Sequence, residues 1–160
     1  MKLGLAYFSG FDQAKVDLEK QMGLKYVISS AGQMDKALAP QSLENLRLLQ
    51  KAYADQGLQL SIIEGPTALD KVKLGLPGAE EELERFKELL VNCAKLDIRT
   101  ICYNWMPVIG WFRSRTAIPT RGGATVTGFN QADMEGAEET WAGRVSQETL
   151  WGTLEAFLRE

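Results

Sequence analysis

Between Arg99 and Ala132 the chain carries four arginines and no carboxylate, and this stretch has the residue types best suited to holding a ligand. Each guanidinium of Arg99, Arg113, Arg115 and Arg121 is a planar fork of donors that matches a carboxylate. Three of them follow the aromatic run Asn104-Trp105-Met106-Pro107-Val108-Ile109-Gly110-Trp111-Phe112. Trp105, Trp111 and Phe112 can pack on the C–H face of a sugar ring, or equally form the loop's own core or a subunit contact. Arg113 and Arg121 are the candidates for gripping a carboxylate, with Arg115 behind them; a solvated surface arginine is the alternative for each. Two further candidates lie at the ends of apolar runs. Glu64 can bind a hydroxyl or move a proton, or simply accept a hydrogen bond from a neighbour. The Asn104 amide can donate and accept toward vicinal hydroxyls, or close a turn on its own backbone.

What is missing narrows the chemistry further. There is no histidine among the 160 residues, which removes an imidazole base, a Ser/His/Asp or Cys/His nucleophile and any His-containing metal site. Catalysis by this chain would rest on carboxylates, Lys, Tyr or Arg. The net charge is 18 minus 21, or -3; without the four arginines of Arg99 to Ala132 it is 14 minus 21, or -7. Positive charge is therefore local, which argues against a nucleic-acid partner, whose basic face would dominate the domain. Cys93 and Cys102 sit among apolar neighbours without CxxC spacing and read as reduced core residues of a cytoplasmic protein. Met1 to Tyr7 is too short and wrongly flanked for a signal peptide, and no apolar run reaches the ~18 residues of a membrane span. Arg121-Gly122-Gly123-Ala124 lacks phosphate-loop spacing; its glycines read as positive-φ positions or a close approach in a lid.

The elements that must position these residues alternate. Lys2 to Phe8 reads as a strand, followed by Ser9-Gly10 and a helix from about Asp12 to Met22 that stops at Gly23. Lys25 to Ser30 is the second strand. Ser42 caps a helix with Leu46, Leu49 and Tyr53 on one face, closed by Gly57, and Leu58 to Ile63 is the third strand. Pro77-Gly78 leads into the longest helix, Ala79 to about Leu96. Its acidic first turn and Lys95 suit the helix dipole, and Leu83, Phe86, Leu90 and Cys93 form its apolar face. Arg99 to Tyr103 is the fourth strand, in which only one of Cys102 and Tyr103 can face a given side; Tyr103 reads as packing. Ser146 caps a last helix with Leu150, Trp151, Leu154, Phe157 and Leu158 at helical spacing.

Strands alternating with amphipathic helices predict parallel βα units, in a doubly wound sheet or a (β/α)8 barrel, with ligands at the C-terminal ends of the strands. Four such units in 160 residues are half of what a complete barrel of typically about 250 residues requires. The expectation is one domain over residues 1–160, the N-terminal half of a barrel, with a long βα connection at about 104–145. Connections above about 12 to 15 residues are uncommon unless functional.

Ile62-Ile63-Glu64, Val72-Lys73-Leu74-Gly75-Leu76-Pro77, Cys102-Tyr103-Asn104-Trp105-Met106-Pro107-Val108, Trp111-Phe112-Arg113, Arg121-Gly122-Gly123-Ala124 with Gly128-Phe129, and the Glu148 to Arg159 helix occur in the same order as in the mannonate dehydratase family, which the chain resembles. The resemblance implies a barrel of the xylose-isomerase-like kind. It also implies a divalent metal, Mn2+ or Fe2+, and a sugar-acid substrate, D-mannonate, dehydrated to 2-dehydro-3-deoxy-D-gluconate in hexuronate breakdown by what is expected to be a homo-oligomer. By the same resemblance the metal ligands, two histidines, a cysteine and an aspartate, lie on later strands, and Cys102 matches a strand cysteine outside that set. This chain is then expected to lack metal and catalytic residues and to be inactive alone, while Glu64, Asn104, Trp111, Arg113 and Arg121 contact substrate. Two alternatives stay open: a non-catalytic half-barrel that pairs with a copy of itself or another chain, and a related sugar isomerase or epimerase.

Overall fold

A computed structural model of the chain describes residues 2–8, 10–65 and 67–160. Ser9, read above as part of the first turn, lies outside them. The chain divides into two compact units, Met1–Val72 with Leu76–Asn104, and Lys73–Gly75 with Trp105–Glu160.

The first unit holds the alternating elements. Strands β1 (Gly4–Tyr7), β2 (Tyr26–Ser29), β3 (Gln59–Glu64) and β4 (Thr100–Cys102) form one parallel sheet in the order β1-β2-β3-β4. Helices α1 (Gln13–Gln21), α2 (Leu43–Ala54) and α4 (Ala79–Lys95) follow the first three strands, with a short helix α3 (Asp70–Leu74) ahead of α4. Asp12 and Ser42 cap α1 and α2, accepting from the N–H groups of Lys15 and Asn45, as their side-chain oxygens favour. The core is built from Val27, Leu60 and Ile63 of the strands and Val16, Leu46, Tyr53 and Leu89 of the helices, all buried. Between Val27 and Ile28 the β2–β3 register slips by one residue of β3, so Ser61 is the extra residue of a bulge, a device that increases local twist. Gly4 is fixed by contact: a Cβ there would lie 1.7 Å from the Tyr26 carbonyl oxygen.

Two details of the helices differ from the sequence reading. On α4 the buried residues are Glu82, Phe86, Leu89, Asn92 and Cys93, whereas Leu90 is exposed. Both stripes have helical spacing and share Phe86 and Cys93, so periodicity could not separate them. The tie is broken by Glu82, whose Oε2 accepts from the N–H groups of Lys71 at 2.8 Å and Val72 at 3.3 Å. This carboxylate therefore satisfies the start of α3 as well as suiting the α4 dipole.

In the second unit the stretch expected as one long connection contains an antiparallel hairpin, β5 (Arg115–Pro119) with β6 (Thr125–Gly128), joined through Gly122 and Gly123 at φ 68° and 77°. The positive φ values expected of these glycines are therefore present. Helix α5 (Gln147–Arg159) is capped by Ser146. Of its apolar residues only Phe157 is buried, and Trp151 and Leu158 are exposed.

Candidate functional site

In a parallel sheet of this kind the C-terminal strand ends are where ligands bind, and in the first unit those ends are Tyr7, Ser29, Glu64 and Cys102. The first two are occupied structurally. Tyr7 donates its hydroxyl to Glu19 Oε2 at 2.6 Å, and the Leu5 N–H reaches Glu19 Oε1 at 3.3 Å. Burial, with this carboxylate beside it, holds the Tyr7 hydroxyl proton far above the usual phenol range. Ser29 is buried and bridges: Tyr53 donates to its Oγ, which donates to the Tyr7 carbonyl, each at 3.4 Å.

The other two ends are open. Glu64 is exposed and pairs in register with Cys102, so the two residues share a face of the sheet. Their neighbours Ile63 and Ile101 are also register partners, and Ile63 is fully buried among the helices. Tyr103 is exposed, and its ring meets Phe86 of α4 edge-on at 6.3 Å; alternation along the strand places Cys102 on the opposite face. Asn104, exposed, follows two residues after Cys102. Glu64 therefore ends β3, and Asn104 lies two residues beyond the end of the adjacent strand β4; a carboxylate accepts from hydroxyls and an amide can donate and accept.

In the second unit the arginines differ in role. Arg115 is taken: its Nε and Nη2 reach the two Asp133 oxygens at 2.7 Å each, Ser114 Oγ donates to Asp133 at 3.0 Å, and the Asn130 N–H donates to Ser114 Oγ at 2.9 Å. The Arg115 hydrogen bond holds the Asp133 carboxyl below its ordinary range. This network fastens the hairpin to the 3-10 turn at Gln131–Met134. Arg113 lies with its guanidinium 5.9 Å from the Trp111 ring centre and donates to Thr127 Oγ1 at 3.3 Å and the Phe112 carbonyl at 3.0 Å. Trp111 is 76% exposed. Arg121 is exposed in the 3-10 turn between β5 and β6. Trp105, by contrast, belongs to the unit's own core: its Nε1 donates to the Leu150 carbonyl at 3.0 Å and its ring lies 4.8 Å from Phe157.

Sequence reasoning passed over Lys73. It is buried, donates from Nζ to the Met106 carbonyl at 3.2 Å, and its own carbonyl accepts from Thr153 Oγ1 at 2.8 Å. A lysine inside an apolar run, Val72-Lys73-Leu74, was the available signal.

The described residues do not fit a metal site, since no three His, Cys, Asp or Glu gather within reach of one ion; Glu64 and Cys102 alone are too few for the usual coordination. No described helix is long and apolar enough to cross a membrane.

Against known proteins, a family model described as D-mannonate dehydratase (UxuA) matches residues 1–160. A mannonate dehydratase of Streptococcus equi subsp. zooepidemicus is 25% identical over 99% of this chain and 50% of its own length. One from Geobacillus thermodenitrificans is 33% identical over 58% of this chain and 25% of its own. The crystal structure of mannonate dehydratase from Streptococcus suis serotype2 superposes with a TM-score of 0.85 at 26% identity, covering 99% of this chain and 48% of that one. The chain thus spans half or less of the length of these relatives.

Proposed function

We propose, because the chain belongs to the D-mannonate dehydratase family, that it forms the N-terminal half of a (β/α)8 barrel of the xylose-isomerase-like kind and supplies part of the substrate wall of that lyase. The observation that carries the reading is the match of the family model over residues 1–160. Residues 1–160 are then one half-domain, and the hairpin-bearing stretch at about 104–145 is its long βα connection. The reaction is dehydration of D-mannonate to 2-dehydro-3-deoxy-D-gluconate and water, within hexuronate catabolism in the cytoplasm, by a homo-oligomer with neither nucleic acid nor membrane as partner.

Dehydration asks for removal of the proton alpha to the carboxylate and protonation of the departing hydroxyl. The family implies a divalent metal, Mn2+ or Fe2+, whose ligands this chain's described residues do not supply. What the chain contributes is binding. Glu64 accepts from a substrate hydroxyl, and Asn104 donates and accepts toward another. Arg113 and Arg121 are the guanidinium groups suited to a carboxylate, and Trp111 offers an aromatic face. Arg115 is left out because Asp133 already holds both ends of its fork.

Titration of D-mannonate into the 160-residue chain, followed by amide chemical shifts, tests this. Saturable shifts at Glu64 and Asn104 are expected, weakened roughly tenfold in E64Q, the worth of one charged hydrogen bond. R113A and R121A are expected to weaken D-mannonate while leaving the uncharged alditol D-mannitol unaffected. Equal binding of the two ligands by the unsubstituted chain overturns the arginine assignment, and turnover by the chain alone with Mn2+ overturns its restriction to binding.

A further inference from the structure

The second unit contains a buried ammonium that the proposed substrate contacts do not use. Lys73 lies in α3 between Val72 and Leu74 and is 9% exposed. Taking an ammonium out of water is costly unless hydrogen bonds compensate, so its presence in an apolar run calls for a partner. Its Nζ donates to the Met106 carbonyl at 3.2 Å, while its own carbonyl accepts from Thr153 Oγ1 at 2.8 Å. Trp105 Nε1 reaches that same hydroxyl at 3.3 Å and the Leu150 carbonyl at 3.0 Å. Lys73 thus grips two consecutive residues, Met106 directly and Trp105 through Thr153.

The chain that follows Met106 is stiff. Pro107 has a fixed φ. The Ile109 N–H donates to the Pro107 carbonyl at 2.6 Å, closing a three-residue turn centred on Val108 at φ 61°. A β-branched residue in that region is an outlier, and a three-residue turn with positive φ is strained. Such a residue persists where its surroundings over-determine it. Here they do so from both sides. Lys73 holds Met106 on one side. On the other, the Phe112 N–H closes a second three-residue turn on the Gly110 carbonyl at 2.8 Å, and the next residue, Arg113, donates to Thr127 Oγ1 at 3.3 Å. The Phe112 ring also meets Phe129 edge-on at 6.4 Å. Val108 is bent because the chain is fastened at both ends.

We propose that Lys73 is a positioning residue: by holding the Met106 carbonyl it sets the arm of residues 107–112, whose strained turn at Val108 aims Trp111 and Arg113 at the substrate carboxylate. The inference rests on the reading of Arg113 as a carboxylate ligand and extends it to a lysine that acts through the main chain. A lysine suits this role, since its flexible stem packs among apolar neighbours while the ammonium at its tip donates to a carbonyl.

Lys73→Met keeps the side-chain length and loses the donors. In the unliganded 160-residue chain it is expected to move the Trp111 indole N–H and Arg113 Nε–H resonances and to leave the far-UV circular dichroism unchanged. Affinity for D-mannonate is expected to fall roughly tenfold, while that for the uncharged D-mannitol stays within about twofold. Lys73→Arg retains donors and is expected to return both resonances and to bring D-mannonate within about threefold of the unsubstituted chain. Val108→Pro leaves Lys73 in place but cannot take a positive φ, and it is expected to match K73M in both readouts. Unmoved resonances in K73M overturn the proposal, as does an equal loss of both ligands or a V108P chain that behaves as the unsubstituted one. Unfolding of K73M, or damage by K73R but not by K73M, overturns it in favour of a lysine that only supports packing. If the unsubstituted chain binds no D-mannonate, the carboxylate reading of Arg113 fails, and the resonances of K73M and K73R alone decide whether Lys73 sets the arm.

Discussion

The Tyr7–Glu19 pair offers the sharpest test of how the first strand is held. Both side chains are essentially inaccessible, at 1% and 0% exposure, and the carboxylate takes two donors, the Tyr7 hydroxyl at 2.6 Å and the Leu5 N–H at 3.3 Å. Glu19→Gln keeps the size but offers one acceptor oxygen, so one donor faces an NH2 group. An unsatisfied buried donor costs about 1–3 kcal/mol. Tyr7→Phe removes a hydrogen bond to a charged group, worth about 1.5–3 kcal/mol. The double variant loses the Tyr–Glu bond only once, so the two losses should fall short of additivity by about 1–2 kcal/mol. Urea denaturation at pH 7 followed by far-UV circular dichroism measures all three. The four tryptophans, at 105, 111, 141 and 151, all belong to the second unit, so tryptophan emission follows that unit while the dichroism is dominated by α1, α2 and α4. Strict additivity, with a coupling under about 0.5 kcal/mol, would refute the claim that this pair ties β1 to α1.

Three more outcomes follow from the same geometry. Gly4→Ala forces β1 away from the Tyr26 carbonyl and is expected to cost about 1–3 kcal/mol in urea denaturation; a neutral result would mean that the strand approach is not as close as described. Burial pushes the Cys93 thiol from 9.0 up to about 11 and also raises Tyr7. The folded state therefore binds these protons more tightly than the unfolded chain, and stability is complete below about pH 9 and falls as pH climbs toward 11, by about 2–3 kcal/mol for the thiol. C93A should flatten that part of a pH–stability curve, and an unchanged slope would assign the loss elsewhere. Trp105 is the half-buried tryptophan, whereas Trp111, Trp141 and Trp151 are exposed, so Trp105→Phe should shift the remaining emission to the red; an unshifted spectrum would place Trp105 in water.

The first unit was largely legible because its signals are local. Asp12 and Ser42 announce helix starts, and apolar runs bounded by glycine mark strands; each lies where the sequence puts it. The identity of the inward stripe on α4 was not legible, since Glu82 is buried only because α3 presents two N–H groups to it. That is a tertiary fact with no periodicity of its own. The hairpin was missed for a different reason. Arg115 to Pro119 and Thr125 to Gly128 are short and mostly exposed, so no apolar alternation marks them, and the glycine pair between them was the stronger sign. Among the candidate contacts, Glu64 stood out as an acid ending an apolar run. The engagement of Arg115 depends on Asp133, eighteen residues away across the hairpin, which composition cannot show.

The strand order β1-β2-β3-β4 has a consequence for synthesis. Every strand is laid against the one made just before it, so none has to be threaded between two that are already paired. A chain leaving the ribosome can add each βα unit to a finished edge, and the loops to be closed are short, which keeps their entropic cost low and folding comparatively fast. Domains that complete themselves in the direction of translation spend little time with unpaired strands in the crowded cell, where such strands aggregate.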